Sequence, residues 1–434
     1  MKIIMTGAET LLQQIGAGRY DRTFARLYGE TAIAAQRERY AGAVKAFTDV
    51  YGDGEEPLML FSAPGRTEIS GNHTDHNHGR VIAGSVNLDV IAVVRAGGDT
   101  VRVQSKGYKM DVVELDQLSP VPAEENKSVS LVRGTAARFA ALGYGIGGFS
   151  AYTTSDVLKG SGMSSSAAFE VLIGVIFNYL YNRGVISPVE IAQIAQFAEN
   201  VYFGKPCGLM DQMASSVGNI ITIDFADPEH PVIEQIDFDF AAVEHALCIV
   251  DVGGNHADLT DEYAAIPAEM KAVAASLGAP YLRQTSMDAL LAHIGELRQK
   301  HGDRAVLRAI HFLQENDRVA TQVECLRAGD FEGFKKLVIA SGNSSFEYLQ
   351  NVYAARDLRE QSMSLALALA QYVLDGTGAW RVHGGGFGGT TQNFVPLDKL
   401  DEFRTAIEAV FGEGSCHVLN IRPCGGVMLT PDAE

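Results

Sequence analysis

An α+β fold in two domains is what this 434-residue sequence predicts, and three observations carry that expectation. Strand-like and helix-like stretches follow one another without the steady βαβ rhythm of a doubly wound sheet. The length exceeds what one simple core organises, which favours two or three domains. The acidic, proline-bearing stretch DFADPEHPVIEQIDFDF (224–240) then offers a boundary. The predicted divisions are a helical extension over 1–50, a first domain over 51–240 and a second over 241–434.

Taken in order, FARLYGETAIAAQRERYAGAVKAF (24–47) has apolar residues at helical spacing and predicts one or two helices. LMLFSAPGR (58–66) predicts a short strand ending at its Pro-Gly, followed by the polar loop TEISGNHTDHNHG. VIAGSVNLDVIAVVRA (81–96) and TVRVQSKGYKMDVVEL (100–115) are rich in β-branched residues and predict strands. FSAYTTSDV leads into the Gly/Ser segment GSGMSSS and then an apolar helix, and PVEIAQIAQFAENVYF opens a helix with proline at its start. DQMASSVG begins another short helix, IITIDF and HALCIVDV read as strands, and 262–375 is mostly helical. The tail alternates: WRVHGGGFGGTTQNFVPL, the helix DEFRTAIEAVFG, then SCHVLNIRPCGGVML.

Composition narrows the function classes. Residues are 47% hydrophobic and 20% charged, as in ordinary globular chains. Lys and Arg number 35 against 53 Asp and Glu, a net charge of −18, which argues against nucleic acid as a partner. A small anionic ligand stays open, because a local cradle or bound metal overrides the global field. The five cysteines are scattered without a CxxC pair, which suits reduced thiols and offers no zinc site. MKIIMTGAETLLQQ lacks a signal-peptide pattern. The longest apolar runs, VLIGVIFNYLY (171–181) and LALALAQYVL (365–374), fall short of the about 18 residues a membrane span requires. A cytoplasmic protein, without membrane partners, is expected.

Three regions carry chemistry. APGRTEISGNHTDHNHG (63–79) packs Arg66, Glu68, Asn72, His73, Asp75, His76 and His78 together. It reads as a solvated turn or as a set of donors and acceptors for ligand hydroxyls, its histidines lacking a familiar metal spacing. GSGMSSSAAF (160–169) reads as a flexible loop or as an anion cradle at a helix start. Downstream, Glu199 and Asp211 are either a surface acid and a helix cap, or the metal ligand and hydroxyl-orienting group that phosphoryl transfer needs. VHGGGFGGTT (382–391) places five glycines in the six positions after His383, a density that points to special backbone angles or close approach to a ligand.

In this order, the three regions resemble the three motifs of the GHMP family of small-molecule kinases, on its galactokinase branch. GRTEISGNHTDH matches the first motif, GSGMSSSAAFEV the second and GGGFGG the third, while AENVYFGKPCGLMDQ matches the segment with the family's metal-binding Glu and catalytic Asp. IVDVGGNHADLTDEY resembles the stretch bearing a sugar-contacting Tyr, and the similarity spans about residues 58–428. The resemblance implies an N-terminal domain like domain 2 of ribosomal protein S5 and a ferredoxin-like C-terminal domain. It also implies ATP and Mg²⁺, with Arg66 and Asp211 as the catalytic pair and Ser165 and Glu199 on the metal. Gly160, Ser161, Gly162, Met163, Ser164, Ser165 and Ser166 would surround the nucleotide phosphates. Asn72, His73, Asp75, Glu68 and Tyr263 would hold the sugar, and Gly384, Gly385, Gly386, Phe387 and Gly388 form the third motif's loop.

The expected reaction is phosphorylation of the C1 hydroxyl of a hexose, D-galactose to α-D-galactose 1-phosphate, by a monomer or weak dimer. Departures from the family pattern keep related acceptors open. Asn72 stands where the family has Glu, His76 where it has Tyr, and Glu68 where it usually has Asn. Arabinose, galacturonate and N-acetylgalactosamine are the alternative substrates, and a galactose/ATP sensor without turnover is the alternative function.

Overall fold

A computed structural model describes residues 7–157, 163–205, 207–253, 259–355 and 359–432. Three helices come first, α1 (Gly7–Gly16), α2 (Asp21–Tyr28) and α3 (Ile33–Tyr51), then strands β1 (Met59–Ser70), β2 (Arg80–Ala96), β3 (Thr100–Ser105) and β4 (Asp111–Glu114). Helix α4 (Ser128–Ala141) and β5 (Phe149–Ser155) lead to α5 (Ser165–Tyr181), α6 (Pro188–Phe197) and α7 (Met210–Val217). Strands β6 (Ile220–Asp224), β7 (Val232–Ile236) and β8 (His245–Asp251) precede a helical run. That run comprises α8 (Thr260–Ser276), α9 (Met287–Ala292), α10 (Ile294–His301), α11 (Asp303–Ala328), α12 (Phe331–Ser344) and α13 (Ser362–Leu374). The chain closes with β9 (Ala379–His383), β10 (Thr390–Pro396), α14 (Leu400–Phe411), β11 (Cys416–Leu419) and β12 (Val427–Leu429).

The first sheet runs β12-β1-β2-β5-β3-β4, with β6 also pairing β2 and β7 pairing β6. Both of its faces are covered, so its strands read as nearly continuous apolar runs. Leu60, Ile91 and Val93 face α1–α3, with Phe24, Tyr40, Val44 and Phe47. Phe61, Ala63, Val90, Ala92 and Val94 face the other way, with Val171, Leu172 and Val175 of α5. The first 50 residues are therefore one wall of the first core.

The second sheet, β11-β8-β10-β9, is wholly antiparallel. Ala246, Cys248 and Val250 pack with Met363, Ala366 and Phe403 of α13 and α14. Leu247, Ile249 and Phe394 belong instead to the core that contains Phe61 and Val171. A single apolar core thus runs across the expected division at 240.

Three expectations are corrected. β1 does not stop at Pro64-Gly65 but continues to Ser70 through a register shift between Pro64 and Arg66. The shift is where a residue without an N–H is tolerated in a sheet, and it places Arg66 and Glu68 on a strand. The stretch read as a boundary contains β7, whose alternation is obscured by charge because most of the strand lies at the exposed sheet edge. The segment after 420 does not stay with the second domain: β12 pairs with β1, and Ile421 bridges to Val86.

Candidate active site

The bulge in β1 turns Arg66 inward and leaves its side chain almost fully buried. Its guanidinium grips Asp211, in the first turn of α7, with two parallel bonds, Nε to Oδ1 at 2.6 Å and Nη2 to Oδ2 at 2.8 Å. Ser164 has left-handed backbone angles, and its hydroxyl donates to the same carboxylate. The Arg66 N–H donates to the carbonyl of buried Met163 at 3.3 Å. Burial raises the Asp211 pKa, but the Arg66 charge and the bonds from Arg66 and Ser164 outweigh it and hold the carboxyl below its ordinary value. Asp75 behaves oppositely. Burial and then the negative charge of Asp211 push it up to about 6. Gly208 lies so close that any Cβ there would strike the Asp75 carboxylate.

Behind Asp211, Gln212 donates through Nε2 to Glu199 Oε2 at 2.7 Å and to Glu170 Oε2 at 3.1 Å. Glu199 sits in a widened π-turn over Ala198–Phe203, and Lys205 Nζ is 3.6 Å from its other oxygen. Glu170 is fully buried in α5, and burial followed by the Glu199 charge raises its pKa well above the usual range. Glu170 Oε1 and Gln212 Oε1 have no partner among the described residues. Two orphaned acceptor oxygens beside two carboxyl groups fit a hard divalent cation such as Mg²⁺. No group of three His, Cys, Asp or Glu side chains among the described residues is arranged as a metal cage. An ion here would thus complete its shell with hydroxyls, waters or phosphate oxygens.

The expected sugar-binding residues are less exposed to a ligand than their motif implies. Asn72 is wholly buried, donating to Glu68 at 3.1 Å and to the Gly384 carbonyl at 2.6 Å, and accepting from Asn351 at 2.8 Å and Ser345 at 3.2 Å. Glu68 is ion-paired with fully buried Arg381 at 2.7 Å. Asn72 thus ties the loop after β1 to the glycine-rich loop and to the turn after α12, and Glu68 Oε1 ties β1 to β9. His73 donates from Nε2 to the Gly385 carbonyl at 2.9 Å and meets His76 at 3.4 Å. Burial lowers the pKa of both rings.

The glycine-rich loop receives these bonds. Gly384, Gly386, Gly388 and Gly389 have positive φ, as does Phe387. Tyr263 donates to the Gly386 carbonyl at 2.8 Å, its ring edge-on to Phe387, and a Cβ on Gly385 would come within 2.5 Å of that ring. Sequence reasoning missed Glu170, Arg381, Asn351 and His311, which donates to the Asn72 carbonyl at 2.9 Å. The available signal was a charge inside an apolar run, as in AAFEVLIGV and AWRVH.

Of the phosphate-loop residues, Gly160, Ser161 and Gly162 lie outside the described residues. Ser165 and Ser166, at the start of α5, line a cavity of about 250 Å³ with Val90, Val157, Lys106 and Tyr108. Arg66, Asp211 and Ser164, far apart in sequence, thus meet at one place, next along the chain from the cavity-lining Ser165 and Ser166. Residues 45–96 match the galactokinase galactose-binding signature and 130–219 the N-terminal domain of GHMP kinases. A galactokinase of Streptomyces coelicolor is 31% identical over 379 residues, which cover 86% of this chain and 94% of that protein. The chain belongs to the galactokinase family. As a member it is a sugar kinase. Another galactokinase, from Actinobacillus pleuropneumoniae, is 32% identical over 355 residues, 80% of this chain and 87% of that one. The GHMP fold is shared with a Lactococcus lactis galactokinase solved with galactose, at a TM-score of 0.77 and 24% identity over 90% of this chain and 99% of that one. It extends to the mevalonate kinase of Methanococcus jannaschii, with a TM-score of 0.59 and 14% identity over 84% and 98% of the two chains.

Proposed function

We propose that this galactokinase-family chain transfers the γ-phosphoryl group of ATP to the C1 hydroxyl of D-galactose. The observation that carries the reading is the Arg66–Asp211–Ser164 constellation beside the serine-lined cavity. The cavity takes the nucleotide, with its phosphates directed toward Ser164–Ser166. Phosphoryl transfer requires little bond-making from the protein, so alignment and charge stabilisation dominate. Arg66 supplies a fixed cation to the oxygens of the transferring group. Asp211, ionised because of Arg66, accepts the hydrogen bond of the C1 hydroxyl and aims the oxygen. Its low basicity means the proton is taken up only as the hydroxyl oxygen bonds to phosphorus. Asp75 accepts from the sugar's other hydroxyls.

Ser165, Glu199 and Glu170 would hold Mg²⁺, which when bound neutralises phosphate charge. The net charge of −18 supports a small-molecule acceptor over a polyanion, and among the described residues no helix is long and apolar enough to cross a membrane. A cytoplasmic setting is consistent with five free cysteines. The test is ADP release from ATP, Mg²⁺ and a sugar panel. Turnover with galactose is expected to exceed that with arabinose, galacturonate and N-acetylgalactosamine, and ATP-dependent turnover confined to another sugar would refute the substrate assignment.

A further inference from the structure

The first three helices lie before both matched family segments, apart from the last turns of α3, yet one side chain from them reaches the cavity wall. Arg39 of α3 donates from Nη1 to Asp89 Oδ1 at 2.7 Å and from Nη2 to the Asp89 carbonyl at 3.0 Å. Its Nε lies 3.0 Å from Asp156 Oδ2. The Asp156 N–H donates to that same Asp89 carbonyl at 3.0 Å. Asp89 and Asp156 immediately precede Val90 and Val157, and both valines line the cavity together with Ser165 and Ser166. Arg39 thus ties together the two backbone segments that form one wall of the cavity.

We infer that Arg39 is a positioning residue for the nucleotide: the N-terminal helices, through its guanidinium, set the spacing between β2 and the end of β5 against which the nucleotide packs. The inference rests on the reading of this cavity as the nucleotide site. The guanidinium suits the task because its two terminal nitrogens bond a carboxylate and a carbonyl on one strand, while its charge faces a second carboxylate just past the next strand as an ion pair without a hydrogen bond from Nε. Asp89 keeps other partners without it, since Tyr28 donates to it at 2.5 Å and Arg422 at 3.1 Å. Loss of Arg39 therefore frees the Asp156 side of the wall while the buried Asp89 stays paired.

The test compares ADP binding by calorimetry in the full chain, which needs no turnover, with the KM for ATP and galactose. Arg39→Met is expected to weaken ADP and raise the KM for ATP about tenfold, a loss of the size expected for bonds to charged groups. The KM for galactose and kcat at saturating ATP should stay within about twofold, and Arg39→Lys should recover part of the loss. Asp156→Asn, at a half-exposed side chain, should reproduce the ADP defect even if Arg39→Met folds poorly. Phe47→Ala, on the same helix but buried toward Leu60 and Ile91, is the control for simple destabilisation. Unchanged ADP affinity in Arg39→Met or in Asp156→Asn, or an equal loss in Phe47→Ala, would overturn the inference. A wild type that binds no ADP defeats the nucleotide reading before any variant is compared. One that binds ADP but leaves galactose unphosphorylated defeats only the substrate assignment.

Discussion

Asp211 and Asp75 are neighbouring, partly exposed acids pushed in opposite directions, and that divergence suits them to different work. Asp211 is doubly held by Arg66 and stays ionised across the working range. Asp211→Asn is expected to lower kcat by about 10²–10⁴-fold with ADP affinity preserved, and a variant retaining wild-type kcat would remove Asp211 from the mechanism. Asp75 loses its proton near pH 6. In the proposed role of acceptor for sugar hydroxyls it would work best ionised, so the KM for galactose should fall as pH rises through about 6. Asp75→Asn should flatten that profile, and a wild-type profile already flat between pH 5 and pH 7 would contradict it. Its effect on stability has the other sign: with the folded pKa raised above the ordinary 3.8, its contribution is full below 3.8 and lost as pH rises through about 6. Arg66, Asp75 and Asp211 stood out as polar residues near glycines, but their own pattern left alternatives open and only the family resemblance gave them roles. Glu170, Arg381 and His311 did not stand out, since their partners lie in other elements and no local pattern announces a buried charge. Nor was it legible that Asn72 and Glu68, in a ligand-like motif, are also bonded by Asn351, past the turn that follows α12, and by Arg381 of β9.

At the scale of elements, β1, β9 and the glycine loop form one junction. Arg381 from β9 reaches Glu68 at 2.7 Å and the Ile69 carbonyl at 2.9 Å. His383 accepts the Glu68 N–H at 3.2 Å, so its other nitrogen carries the proton toward Thr390 at 2.8 Å. Removing one member of a buried pair leaves the other uncompensated. Arg381→Met should cost about 3–5 kcal/mol in urea unfolding, and Glu68→Gln in the same chain should restore part of it. A single variant as stable as wild type would show the junction to be dispensable. Strand content was readable wherever an apolar, β-branched run went uninterrupted, as in β2 and β8. It was lost at Pro64, where a bulge absorbs the missing donor, and in β7, whose outward acids resemble a linker.

At the scale of the whole molecule, α1–α3 supply half the covering of the first sheet, with Phe24, Tyr40 and Phe47 fully buried. Phe47→Ala should therefore cost about 3–5 kcal/mol in global stability, as for a central core residue, whereas a peripheral arm would yield less than about 1 kcal/mol. Helical spacing forecast these helices, but their role needed the sheet to be seen, since amphipathicity says a face is covered and not by what. The pairing of β12 with β1 has a consequence for synthesis. The outer rim of the earliest-made strand waits, unpaired, until almost the entire polypeptide has left the ribosome. Chains cut short before β12 would expose that rim and invite intermolecular pairing.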